Sequence, residues 1–211
     1  MSERRIVVVG ASWGGLNAIT TLLRGLPADF ATPVVLVQHR SRDSTSALAE
    51  IIQDAAAIPV CEVEDKAPVV AGHVHVAPSD YHLLIEGDHF SLSVDAPQRY
   101  SRPSIDVTFE TAASAFGRGA IGVVLTGANQ DGSAGLRRIV DHGGLAIVQD
   151  PASAESPTMP RAAIAAVPSA TVLPLAEIAG ELVRLAARPA RAAVHTGLGH
   201  PAPKPPPERR P

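Results

Sequence analysis

Residues 10–14 read GASWG, a G-x-S-x-G set between the apolar run RIVVV and a stretch of helical periodicity. Small neighbours permit the sharp strand-to-helix turn that exposes a Ser hydroxyl, as a nucleophile requires. The same turn offers the free N–H groups of a helix N-terminus, which suit an oxyanion as well as a phosphate. The spacing argues against two phosphate chemistries. A dinucleotide turn wants G-x-G-x-x-G, and Ser12 stands where its second Gly belongs. A P-loop wants Lys and Ser/Thr after its last Gly, where this chain has Leu16 and Asn17. For an isolated motif, a Ser that simply caps the next helix is the competing assignment.

A nucleophilic Ser needs a base within reach and a group to orient that base. Of eight histidines, His39 alone directly follows a strongly apolar strand, in VVLVQHRS. That strand comes straight after the helix that Ser12 opens. A right-handed crossover makes the two strands neighbours about 4.8 Å apart, with Ser12 and His39 at one edge. A His that bonds only to backbone is the bland alternative. The third member should be a carboxylate at the same edge. Asp131, in GVVLTGANQDGSAGL, follows another apolar strand in a Gly-rich turn that opens a helix. On local sequence alone an N-cap explains it equally well. Asp80 and Asp106 are rivals for the role. The order Ser, His, acid departs from the Ser, acid, His order of α/β-hydrolases. His73 and His75 share one strand face, but no neighbouring Cys or carboxylate completes a metal set, so no metal or other cofactor is expected.

These residues need a sheet edge to sit on. Strands are expected at 5–9, 33–38, 59–63, 121–126, 145–149 and 170–173, and helices at 14–24, 45–56, 104–116 and 132–142. Strands of near-continuous Val, Ile and Leu imply burial on both faces. The expected fold is therefore α/β: a doubly wound, mostly parallel sheet with helices on both faces. Residues 72–95 alternate, with EGDH as a turn, and predict an antiparallel hairpin insertion. One catalytic domain is expected over 1–188. The segment 189–211 holds seven prolines in 23 residues and little to bury, and is expected to be a disordered tail.

Composition narrows the setting. The chain has 211 residues, 45% of them hydrophobic, with a net charge of −3, which suits one domain with a real core rather than a nucleic-acid binder. Its longest apolar runs are far shorter than a membrane span, and its start lacks the apolar stretch of a signal peptide. A single Cys, Cys61, fits a reducing compartment. A cytoplasmic location without membrane insertion is expected.

The same residues resemble the catalytic domain of the CheB-type protein-glutamate methylesterases of bacterial chemotaxis, over roughly residues 5–175. The landmarks are GASWGG at 10–15, VQH at 37–39, GHVHVAPSDYH at 72–82, RPSIDVTF at 102–109, GVVLTGANQDGSAGL at 122–136 and MPRAA at 159–163. The resemblance implies Ser12 as nucleophile, His39 as base and Asp131 as the group that orients it. It implies a doubly wound sheet with the site at its carboxyl edge. The implied partner is the helical cytoplasmic domain of a methyl-accepting chemotaxis receptor, whose glutamate methyl esters are hydrolysed and whose glutamines are deamidated. Trp13, Gly14, Gly127 and Ala128 are the candidates for oxyanion or substrate contacts, and Arg40, Arg102 and Arg161 for holding an acidic receptor helix.

The chain departs from the family pattern at several points. Trp13 replaces a usual Thr, and the usual TGMGxDG turn reads TGANQDG, with Ala128 for Met and Asn129 for Gly. Arg40 follows the His where an apolar residue is common. The family's usual enzyme carries an N-terminal receiver domain, whereas this chain starts four residues before its first strand. Control is therefore expected from a separate regulator, or the site is constitutively open. A hydrolase of another small ester or amide, with Trp13 walling off a narrow pocket, is one alternative function. A non-catalytic interaction module is the other.

Overall fold

The computed structural model describes residues 4–40 and 47–187. The expected tail at 189–211, like the first two residues of the helix expected at 45–56, lies outside them. Among the described residues, seven strands form one parallel sheet: β1 (Ile6–Ala11), β2 (Val34–Gln38), β3 (Val60–Glu62), β4 (Val74–Val76), β7 (Ala120–Val124), β8 (Leu145–Gln149) and β9 (Thr171–Leu173). Two more, β5 (His82–Glu86) and β6 (His89–Ser93), pair antiparallel in a separate ribbon. The helices are α1 (Gly15–Arg24), α2 (Ala47–Gln53), α3 (Ile105–Phe116), α4 (Ser133–Asp141), α5 (Thr158–Ala166) and α6 (Leu175–Ala187).

The strand order is β3-β4-β2-β1-β7-β8-β9. The chain leaves β1 toward β2 on one side and later returns to pair β7 on the other, so the winding reverses at β1. Such a reversal opens a crevice beyond the carboxyl ends of the central strands, where α/β sheets place their sites. The strands are apolar throughout because both faces are covered. Val7, Val9 and Ala11 of β1 pack with Ile19 and Leu22 of α1 and with Ile178 and Leu182 of α6. Ile6 and Val8 face the opposite layer, with Ile105 and Phe109 of α3, Leu136 and Ile139 of α4 and Met159 of α5.

The expected doubly wound fold is therefore present, with one correction of detail. The alternating segment at 72–95 is not a single hairpin. Its first part is β4, a parallel strand hydrogen-bonded between β2 and β3 and buried along its length. Its alternation arises because His75, 2% exposed, occupies a buried position that an apolar residue usually fills. Only β5 and β6 form the ribbon, joined at Gly87–Asp88 and packed through Leu83, Ile85 and Phe90 onto the α3 layer.

One close approach sets the site. A Cβ on Gly10 of β1 would stand 2.3 Å from Ile105 Cγ2, and one on Gly132 would stand 2.7 Å from the same atom. Two bare backbones thus let Ile105, the first residue of α3, wedge between β1 and the turn before α4. Gly10→Ala is expected to cost about 1–3 kcal/mol in urea unfolding, the usual range for overpacking. Combined with Ile105→Ala it should cost less than the sum of the two single changes, because they share one contact; strict additivity would show that the wedge is not the cause.

Candidate active site

Ser12 follows the last residue of β1, and His39 the last residue of β2. Because β1 pairs β2 in parallel with Ala11 opposite Gln38, the next residue of each strand lands side by side. The His39 N–H donates to Ala11 O at 3.0 Å, and the Ser12 N–H to Thr126 O at 3.0 Å, which ties both turns to the sheet. Gln38 reinforces them: its Nε2 donates to Ser12 O and to His39 O, each at 2.9 Å. Gly14, not Ser12, stands at the N-cap of α1. The Ser12 hydroxyl is consequently free to face the imidazole.

Three side chains form a hydrogen-bonded chain. Ser12 Oγ lies 3.2 Å from His39 Nδ1, and His39 Nε2 lies 2.8 Å from Asp131 Oδ2. Chymotrypsin-type triads turn the ring the other way, with Nε2 toward the Ser. The Ser–His contact is long for a hydrogen bond to a hydroxyl, as is common before substrate binds.

Asp131 is fully buried and accepts from five donors. Besides His39 they are Ser104 Oγ at 3.0 Å, Ile105 N at 2.7 Å, Asp106 N at 3.0 Å and Gly132 N at 3.1 Å. Burial alone would raise this carboxyl. The bonds from His39 and from the Asp106 and Ile105 N–H groups outweigh it and hold the group below the usual Asp range. The helix-capping assignment that competes in sequence is thus also met, across the chain: Asp131 caps α3, while Ser104, at that helix's own N-cap, gives its hydroxyl to Asp131.

Neither rival acid touches His39. Asp80 holds Arg102 at 2.7 Å. Asp106 accepts the Gly135 N–H at 2.7 Å; burial, and then the neighbouring Asp131 charge, push it up to about 6.

Ser12 and His39 open into a cleft of about 770 Å³, also lined by Trp13, Gly14, Leu16, Ile51, Ala128 and Glu155. Trp13 is 66% exposed, so the indole forms an outer wall rather than a lid. Among the described residues no acceptor takes the N–H of Trp13, Gly14 or Ala128, whereas the Gly127 N–H is already donated to Ser156 O at 3.0 Å. The candidate oxyanion donors therefore narrow to the first three. Gly127 has a steric role instead: a Cβ there would meet Met159 Sδ and stand 3.0 Å from Ser12 Cβ.

Arg40 and Arg102 line a smaller cavity of about 180 Å³ on another side of His39. Each is engaged, Arg40 with Glu62 at 2.6 Å and Arg102 with Asp80. Arg161 is exposed on α5 and lines neither cavity. His73 and His75 stack with centroids 6.2 Å apart, and His75 Nδ1 lies 3.5 Å from Cys61 Sγ. Burial raises the thiol and lowers the His75 imidazole, which favours the uncharged form of each. Among the described residues no group of three or more His, Cys, Asp or Glu side chains is placed to hold a metal, and no helix is long and apolar enough to cross a membrane.

Sequence reasoning missed Gln38, Ser104 and Thr126, which position the site through their hydrogen bonds. Thr126 Oγ1 donates to Trp13 O at 2.9 Å and accepts the Ser156 N–H at 2.8 Å. The signal was a polar residue at or just past the end of an apolar strand, as in VVLVQ and GVVLT.

A Ser, a His and a buried Asp linked in this way at the carboxyl edge of a wound α/β sheet define a serine-hydrolase type of site. The family model described as CheB methylesterase matches residues 7–182, and the chain belongs to that family. A Leptospira interrogans serovar copenhageni protein, provisionally named a protein-glutamate methylesterase/protein-glutamine glutaminase, is 47% identical over 85% of this chain and 93% of its own length. The Pseudomonas putida protein-glutamate methylesterase/protein-glutamine glutaminase of group 3 operon is 38% identical over 89% of this chain and 56% of its own. The crystal structure of the Thermotoga maritima CheB methylesterase catalytic domain superposes with a TM-score of 0.83 at 32% identity, covering 86% of this chain and 98% of that one.

The buried acids make stability depend on pH. Asp106, at about 6 when folded against 3.8 normally, keeps its proton in the folded chain after the unfolded chain has lost it. Its contribution is fully present below pH 3.8 and is lost as pH rises through about 6. Asp106→Asn should therefore raise the unfolding free energy at pH 8 by about 1–3 kcal/mol, with the gain vanishing near pH 4. Denaturant titrations at the two pH values check this; an equal effect at both would refute it.

Proposed function

We propose that Ser12, His39 and Asp131 hydrolyse the methyl esters of glutamate side chains on the cytoplasmic helices of methyl-accepting chemotaxis receptors, and deamidate glutamines there. The observation that carries this proposal is the Ser12–His39–Asp131 hydrogen-bond chain at the floor of an open cleft, in a member of the CheB methylesterase family.

The chemistry follows from the contacts. His39 Nδ1 takes the Ser12 proton as Oγ attacks the ester carbonyl, while N–H groups among Trp13, Gly14 and Ala128 receive the developing oxyanion. The resulting imidazolium passes its proton to the departing methoxide oxygen, which leaves as methanol, or to the amide nitrogen of a glutamine, which leaves as ammonia. Water, deprotonated by the same nitrogen, then releases the glutamate carboxylate. Asp131 keeps a proton on Nε2, so that Nδ1 begins both acylation and deacylation as an acceptor.

The cleft favours a protein segment over a small free ester. Exposed Trp13, Leu16 and Ile51 form an apolar wall beside the nucleophile, which fits the apolar stripe of an amphipathic helix. An exposed Trp leaves no narrow pocket for a small acyl group. Electrostatic guidance falls mainly to Arg161, because Arg40 and Arg102 already carry carboxylate partners.

Two measurements test the proposal. The purified chain should release methanol from a methylated chemoreceptor cytoplasmic fragment, and Ser12→Ala and His39→Ala should each abolish release; a folded wild type that releases none contradicts the assignment. Arg161→Glu should slow demethylation about two- to fivefold at low salt and have little effect at high salt, since exposed charges outside the contact act on encounter. A rate unchanged at low salt would remove Arg161 from the guidance role.

A further inference from the structure

We propose that Asn129 is a positioning residue that shares the lone pair of the catalytic base with Ser12 and so restrains activation of the nucleophile. The proposal rests on the assignment of Ser12 and His39 as nucleophile and base.

Asn129 Nδ2 lies 3.3 Å from His39 Nδ1, the nitrogen that faces Ser12 Oγ at 3.2 Å. The orientation of the amide is fixed by its other end. Asn129 Oδ1 accepts the Asp131 N–H at 3.0 Å, and a flipped amide would turn NH₂ toward that N–H. The ring is fixed as well, because Nε2 sits 2.8 Å from the carboxylate of Asp131 and must carry the proton. Nδ1 then has one in-plane lone pair and two donors aimed at it.

Two consequences follow. In the resting site the Asn129 amide supports the tautomer with a bare Nδ1, because an Nδ1–H would confront an N–H donor. During attack that support is lost. Once Nδ1 has taken the Ser12 proton, the amide faces a donor and must give way. An interaction made in the ground state and broken in the transition state slows the step. Asn129 thus holds the base ready and makes it slower to act, and it joins the base to the Asp131 turn through a single side chain.

Two substitutions separate these roles. Asn129→Gly removes both bonds. Asn129→Asp keeps an acceptor for the Asp131 N–H and presents an acceptor instead of a donor to Nδ1. In the full chain, fluorophosphonate labelling of Ser12 is followed across pH. Asn129→Gly should raise the plateau rate about 3- to 10-fold, the worth of one net hydrogen bond. Its acidic limb should move to higher pH, because the neutral ring has lost a donor, and the limb of Asn129→Asp should lie higher still. Mere structural damage would lower the rate at every pH and leave the limb in place, and that result overturns the proposal.

Nitrogen NMR of the neutral His39 ring supplies a readout that needs no substrate or probe. Its Nδ1 resonance should move downfield in Asn129→Gly, and an unmoved resonance likewise overturns the proposal. Absence of labelling in every variant would instead remove Ser12 as nucleophile, while the resonance would still decide whether Asn129 bonds to the base.

Discussion

The buried carboxylate of Asp131 is the interaction on which the site depends. An ionised group without solvent contact is costly, and it persists only where its lone pairs are filled. Here the fillers come from separate parts of the chain: the His39 ring after β2, the Ser104 hydroxyl, the first two N–H groups of α3 and the N–H of Gly132. The N-terminus of α3 adds a favourable dipole. The charge therefore fastens a helix, a turn and the His39 imidazole to one point, and their relative positions follow from its need for donors.

Around that point the sheet supplies order and the strand ends supply polarity. Interiors of β1, β2 and β7 are uniformly apolar and buried. Their carboxyl ends lead into Gln38 and Thr126, whose side chains stitch neighbouring loops together. Gln149 does the same from β8, accepting the Thr126 N–H at 2.8 Å and donating to Ser153 O at 2.9 Å. Ser12 and His39 thus rest on a network of side-chain to backbone bonds, which suits a site that must hold geometry while its mouth stays open.

Much of this was legible in the residues. Continuous Val and Ile runs foretell the central strands, and a right-handed crossover from β1 to β2 is enough to place Ser12 beside His39. Asp131 was harder, because a helix cap and a catalytic orienter demand the same residue at the same kind of turn. Only the folded chain shows that Asp131 bonds to His39 and at the same time caps α3 rather than the helix it precedes. β4 was misassigned to a hairpin because a buried His75 mimics the polar half of an alternating strand. Arg40 and Arg102 look like free charges in sequence; their partners Glu62 and Asp80 lie about 22 residues away along the chain, beyond any local pattern. Gly127 is needed for close packing against Ser12 and Met159, and sequence cannot distinguish that from donation of an N–H.

The most direct test of the central claim is the rate of fluorophosphonate labelling of Ser12 in Asp131→Asn, with folding followed in parallel. An amide in place of the carboxylate presents a donor to His39 Nε2–H and favours the opposite tautomer. Labelling should fall by about 10³–10⁴ in a chain that remains folded at low temperature. Labelling at the wild-type rate would contradict the claim, because the base would then be working without the buried charge that positions it.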